Sequence, residues 1–166
     1  MHFPTLVRLG RVEEPPVVER EAVRVVLLDE NDRVLLIEMH DPARPDRGWY
    51  WFTPGGGREP GESQTECAVR ELLEETGLLL DPEDLGPVVH QEVIEYGFEG
   101  YLVRQHQVFL LHRVEAFDVD TRGWDAAEVR SQRKVRWWTT EELSVTSEAV
   151  YPDNLLELMT RADNAG

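Results

Sequence analysis

The stretch Gly56–Leu78, GGREPGESQTECAVRELLEETGL, can be read letter by letter. Glycines open it, Pro60 and Gly61 turn the chain, and a helix begins. Ser63 is a good N-cap, and Glu66 three residues on completes an S-x-x-E capping box. Gly77 stands where a left-handed C-terminal cap belongs. The spacing between them predicts about three to four turns of helix.

At about 100° per residue, Glu71, Glu74 and Glu75 share one face of that helix. Cys67 and Ala68, small and one turn earlier, lie on the same face and leave open space beside the acids. Val69, Leu72, Leu73 and Thr76 fill roughly the opposite arc and are the expected buried stripe. Like charges at i, i+3 and i, i+4 destabilise a helix by a few tenths of a kcal/mol each. Either the face is solvated or a cation resolves the repulsion. An all-oxygen ligand set suits Mg²⁺ or Mn²⁺ better than zinc. The helix alone leaves both readings open.

The spacing adds more. Gly56, Glu62, Arg70-Glu71-Leu72, Glu74-Glu75 and Gly77-Leu78 match all nine specified positions of the pattern G-x5-E-x7-R-E-U-x-E-E-x-G-U. A chance match in a chain this long is on the order of 10⁻⁷ from average residue usage. That pattern is the Nudix box, and the chain resembles the Nudix hydrolases, which cleave nucleoside diphosphates linked to another moiety.

The resemblance implies a set of roles. Glu71, Glu74 and Glu75 fall on the family's positions for divalent metal, Mg²⁺ or Mn²⁺. Gly55, just before the box, stands where a backbone carbonyl joins the metal shell. Glu62 and Arg70 match a pair that braces the loop against the helix, and Gly56 opens that loop. Such outer contacts hold ligating carboxylates in place. The chemistry implied is water attack at phosphorus, releasing a nucleoside monophosphate, with a carboxylate taking the proton. In the family that base varies between a box glutamate and one on a distant loop. Glu71 is the first choice here and Glu128 the second, the latter otherwise a surface acid.

Outward from the box, the chain reads as one domain. At 166 residues it is long enough for a single core. Residues 1–20 form an N-terminal arm with a short strand at Thr5–Leu9, 21–163 the Nudix domain, and 164–166 a tail. Ala22–Leu28 and Arg33–Met39 flank Asp29-Glu30-Asn31-Asp32, a hairpin signal. The loop His40–Gly48 carries Arg44 and Arg47, which are either solvated charges or contacts to a substrate phosphate. Trp49–Phe52 reads as a strand with Trp49 and Trp51 on one face, delivering the glycines.

After the helix, Val88–Tyr96 and Tyr101–Val114 read as paired strands, with His90, His106 and His112 at no metal spacing. Glu115–Arg130 reads as a long charged loop carrying Gly123 and Trp124, and long loops often carry function. Val135–Trp138 is a strand, Thr140–Leu143 a capped helix start, and Pro152–Ala162 a closing helix with Leu155, Leu156, Leu158 and Met159 inward. The fold class is α+β. The resemblance makes it an α/β/α sandwich with a mixed β-sheet.

Composition sets limits on partners. The formal charge of −16 argues against binding duplex nucleic acid, which needs a basic footprint. No run is apolar and long enough for a membrane span or a signal peptide, so a cytoplasmic protein is expected. The single cysteine, Cys67, reads as a small helix filler. The family's habits make a homodimer an expectation and a nucleotide the substrate: a nucleoside triphosphate, a dinucleoside polyphosphate or a nucleotide sugar. Ile94 stands where ADP-sugar hydrolases tend to carry proline, which counts against ADP-ribose. Tyr96 fits the tyrosine of the dinucleoside polyphosphate group. A nucleotide-sensing module without turnover and a plain acidic cation-binding protein are the rival classes. Intact carboxylates speak against the first, and Arg70, Glu62 and the glycine loop against the second.

Overall fold

Asp29 ends the first strand by closing its own turn. Its Oδ1 accepts the Asn31 and Arg33 N–H groups at 2.9 Å each, and its Oδ2 takes Arg33 Nε at 2.6 Å. Asp32 adopts the left-handed conformation at φ 59° that such turns need. The hairpin so formed joins β1 (Val17–Leu28) to β2 (Val34–Met39), both rich in branched apolar residues. β1 starts at Val17, so the last residues of the arm belong to the sheet.

The computed structural model describes residues 14–42, 44–98 and 100–161. The Thr5–Leu9 strand, Ala162 and the tail lie outside these residues. Beyond the hairpin come β3 (Tyr50–Phe52), β4 (Gly55–Gly57), α1 (Gln64–Thr76), β5 (Val88–Phe98) and β6 (Tyr101–Arg113). Then follow α2 (Ala126–Ser131), β7 (Gln132–Trp138), α3 (Thr140–Val145) and α4 (Leu155–Thr160). The strands form one mixed sheet in the order β3-β2-β1-β6-β5, with β4 beside β1 and β7 beside β2. β1 and β6 run parallel from Val17 opposite Leu102 to Leu28 opposite Arg113.

Strand alternation gives the sheet two apolar faces. Val23, Val25 and Leu27 pack with Cys67, Ala68 and Leu72 of α1. Val26 and Leu28 pack on the other face with Phe109, Trp138, and Leu155, Leu158 and Met159 of α4. Trp51 joins this second cluster, its ring edge-on to Trp138 at 5.1 Å. The α+β class with helices on a mixed sheet is therefore as expected.

Three expectations need correction. The buried arc of α1 runs through Cys67, Glu71, Glu75, Ala68, Leu72 and Thr76, while Leu73 is 45% exposed. This arc is turned by roughly a quarter of the circumference from the apolar stripe. The reason is what lies opposite: a strand of glycines that leaves room for carboxylates, so Cys67 faces backbone and Ala68 the apolar cluster on β1, neither of them open space. The Glu115–Arg130 stretch holds α2, capped by Asp125, because Asp125 and Glu128 form a second capping box. Leu156 is 39% exposed, since α4 presents only Leu155, Leu158 and Met159 to the sheet.

Candidate active site

Helix α1 lies along β4, and one stripe of it meets the three glycines in turn. Cys67 Sγ is 3.7 Å from the Gly56 and Gly57 carbonyl oxygens. A Cβ on Gly56 would stand 2.4 Å from Glu71 Oε1, so a side chain there would displace the carboxylate. The Gly55 N–H donates to Glu75 Oε2 at 3.1 Å. Gly55 itself has φ 142°, and a Cβ would sit 2.0 Å from the Val23 carbonyl oxygen. The helix thus requires glycine at 56, whereas glycine at 55 and 57 is required by β1, where a Cβ would meet the Val23 carbonyl and the Arg20 guanidinium.

The helix itself is fixed at both ends as its sequence predicts. Ser63 Oγ accepts the Glu66 N–H at 3.1 Å and Glu66 Oε2 accepts the Ser63 N–H at 2.7 Å. Gly77 caps the other end at φ 76°, its N–H bonded to the Leu73 carbonyl.

Arg70 gathers the loop and the acids. Its Nε and Nη2 donate to the two Glu62 oxygens at 2.7 and 3.0 Å, and Nη2 also reaches the Gly57 carbonyl at 3.0 Å. Nη1 meets Glu71 Oε1 at 3.0 Å and Glu74 Oε2 at 3.5 Å. One guanidinium therefore ties the glycine loop to two carboxylates, a use of the planar fork that lysine lacks.

Glu128 comes to the same place from the far end of the chain. One carboxylate oxygen each from Glu71, Glu74 and Glu128 lie within 4.8 Å of one another. Three convergent hard oxygens fit a divalent cation of the Mg²⁺ or Mn²⁺ kind. Glu75 is not in this trio. It is buried and turned toward Gly55. The Gly55 carbonyl accepts from Arg24 Nη1 at 3.0 Å.

Burial is the main force on these acids. It holds the Glu71, Glu75 and Glu128 carboxyls above the ordinary range, Glu75 well above it. Neighbouring charge adds to the shift: Glu74 at Glu71, Glu71 at Glu75. Arg70 pulls the other way at Glu62, whose carboxyl drops to about 2 through their hydrogen bonds. Burial pushes the Cys67 thiol up to about 12, consistent with a filler rather than a nucleophile.

The remaining candidates make other contacts. Arg44 pairs with Asp46 at 3.5 Å on the exposed turn Pro45–Arg47, and neither Arg44 nor Arg47 makes a hydrogen bond or ion pair to a glutamate of α1. The Tyr96 hydroxyl is held between Arg20 Nη1 and Gln105 Oε1, both at 3.1 Å. Arg24 is a site residue the sequence reading passed over. Its signal was a single cation inside the apolar run Ala22–Leu28, at a position whose alternation points inward.

Comparisons agree with this architecture. A family model described as NUDIX domain matches residues 18–159. An 8-oxo-dGDP phosphatase of Homo sapiens is 46% identical over 63 residues, 38% of this chain and 19% of that protein. A putative 8-oxo-dGTP diphosphatase of Bacillus subtilis is 45% identical over 53 residues, 32% of each chain. These matches thus span a third or less of the relatives' own length. A further Bacillus subtilis protein, an uncharacterized Nudix hydrolase, is 27% identical over 136 residues, covering 81% of this chain and 76% of that one. Among solved structures, a MutT protein from Methanosarcina mazei superposes with a TM-score of 0.60 at 20% identity, covering 91% of this chain and 96% of that one. That last likeness speaks for the fold alone.

Proposed function

The chain belongs to the Nudix family, and from that premise we propose that it is a Mg²⁺- or Mn²⁺-dependent pyrophosphohydrolase of nucleotides. The observation that carries the reading is the trio Glu71, Glu74 and Glu128, with oxygens within 4.8 Å of one another beside Arg70. These three carboxylates would hold the cation, with Glu75 and the Gly55 carbonyl adjoining. A cation bound there supplies charge neutralisation of the diphosphate and a water of lowered pKa.

The protein's own residues do the rest. Water attacks phosphorus, the anhydride P–O bond breaks, and a nucleoside monophosphate and a phosphorylated remainder leave. Glu71 or Glu128 accepts the proton of the attacking water. Arg70 holds Glu71 and Glu74 in place while Glu62 holds Arg70. With a formal charge of −16 the surface repels a polyanion, so the bound cation and nearby arginines must provide the attraction.

Nucleoside di- and triphosphates are the substrate class we favour, supported by the names of the human and Bacillus subtilis relatives, which match over 38% and 32% of this chain. Product release should be assayed with Mg²⁺ and Mn²⁺ on dNTPs, 8-oxo-dGTP, dinucleoside polyphosphates, ADP-ribose and nucleotide sugars. A Glu74→Gln, Glu75→Gln double variant runs alongside. Turnover on one class, abolished in the variant, supports the reading. Nucleotide binding without turnover on any of them would replace it by a sensing module.

A further inference from the structure

Glu128 reaches Glu74 across 53 intervening residues, so something must fix its distance from Glu71 and Glu74. The loop before it is built onto the last turn of α1, whose carbonyls have no helical partner. The Asp120 N–H donates to the Thr76 carbonyl at 2.9 Å. Trp124 Nε1 donates to the Glu75 carbonyl at 2.8 Å. Gly123 lies flat on the Glu74 carbonyl, where a Cβ would come within 2.6 Å of the oxygen. Asp125, directly after Trp124, uses its N–H to hold Glu128 Oε2 at 2.8 Å. Beyond α2, His40 fixes the exit: its N–H donates to the Ser131 carbonyl and its Nε2 to the Arg130 carbonyl, both at 2.8 Å.

We propose that Trp124 is a positioning residue for Glu128, its indole N–H latching the loop to the Glu75 carbonyl and so setting where Asp125 presents the Glu128 carboxylate. This rests on the reading that Glu128 works together with Glu71 and Glu74. Glu74, whose side chain joins the trio, and Glu75, whose side chain turns to Gly55, meet the loop with their carbonyls. The chain thereby measures the distance to its remote carboxylate from the helix that carries the other two.

Trp124→Phe keeps an aromatic ring, smaller than the indole, and deletes the N–H. Gly123→Ala leaves the indole intact and forces the loop off the helix. Each is made alone and with Glu128→Gln, and Mn²⁺ bound at the tight site is counted by electron paramagnetic resonance. Outer-shell changes of this sort cost about 10- to 100-fold in metal affinity. Trp124→Phe and Gly123→Ala are each expected to weaken Mn²⁺ by about tenfold while the protein stays folded at the assay temperature. In the Glu128→Gln background neither should weaken it further, because the group they position is gone.

Wild-type Mn²⁺ affinity in Trp124→Phe beside a large loss in Glu128→Gln overturns the positioning role alone. Losses that add in full to those of Glu128→Gln overturn it too, since Trp124 would then act through α1. Wild-type affinity in Glu128→Gln removes the Glu128 reading and this inference with it.

Discussion

Arg70 holds Glu62 through two parallel bonds, Nε to Oε1 at 2.7 Å and Nη2 to Oε2 at 3.0 Å, across the mouth of the glycine loop. The pair lowers the Glu62 carboxyl from 4.5 to about 2. A carboxylate depressed on folding contributes stability that is complete above its unfolded value and is lost as pH falls through its folded one. Between pH about 5 and 2 the protein should therefore lose stability in part through this pair. Glu62→Gln should start from a lower thermal midpoint at neutral pH and decline less steeply over that window. Parallel midpoint curves for the two proteins would remove Glu62 from the account.

Arg70→Lys preserves the charge and loses the fork. A lysine ammonium is a compact charge with three donors on one atom and cannot span the partners of Arg70, which serves Glu62, the Gly57 carbonyl, Glu71 and Glu74 together. Turnover should fall by about 10- to 100-fold, mainly in kcat, because Glu71 and Glu74 lose their brace. Steady-state kinetics on the best substrate of the panel checks this, and a change confined to KM would contradict it.

Gly56→Ala tests the fit of the helix against the glycine strand. The added methyl would need the space of Glu71 Oε1, 2.4 Å away. The carboxylate must swing off its place beside Arg70, and a misplacement of about 1 Å costs about 10²-fold in rate. Mn²⁺ affinity should fall together with kcat, and a Gly56→Ala enzyme with wild-type values of both would refute the argument.

Cys67 offers a probe of the same packing. Its thiol is buried against the loop carbonyls and burial pushes it up to about 12. At neutral pH the folded protein should leave Ellman's reagent unconsumed, and one thiol per chain should react on unfolding in urea. Rapid labelling of the folded protein would mean that α1 does not lie on β4 as described.

Much of this was legible in the letters. The caps of α1 follow from Ser63, Glu66 and Gly77 because capping is local chemistry, settled within four residues. The hairpin at Asp29 is legible for the same reason. The rotation of α1 was not, because periodicity assumes that apolar side chains face inward. Here Leu73 faces water and Glu75 the interior, since the neighbour is bare glycine backbone and Arg24 lies close. Helix α2 was hidden for a related reason. Only six residues long, it carries a local cap at Asp125 but is fixed at its other end by His40, from a distant part of the chain. Glu128 could be named as a candidate from its loop, but its approach to Glu71 and Glu74 depends on Gly123 and Trp124 meeting carbonyls that no sequence pattern displays.

Arg24 gives the sharpest test of that interior. It donates to the Gly55 carbonyl at 3.0 Å, lies 4.3 Å from the Phe52 ring centre, and is the cation that opposes the burial of Glu75. Arg24→Met fills the space and removes the charge. The Gly55 carbonyl then loses its donor and Glu75 its compensating cation, a loss of about 2 kcal/mol by the usual worth of hydrogen bonds to charged groups. Glu75→Gln added to Arg24→Met should return part of that stability, because a neutral amide has no need of the cation. Urea unfolding of the wild type, both single variants and the double variant measures the coupling directly. Strictly additive effects would show that Arg24 supports the loop alone, with no influence on the buried carboxylate.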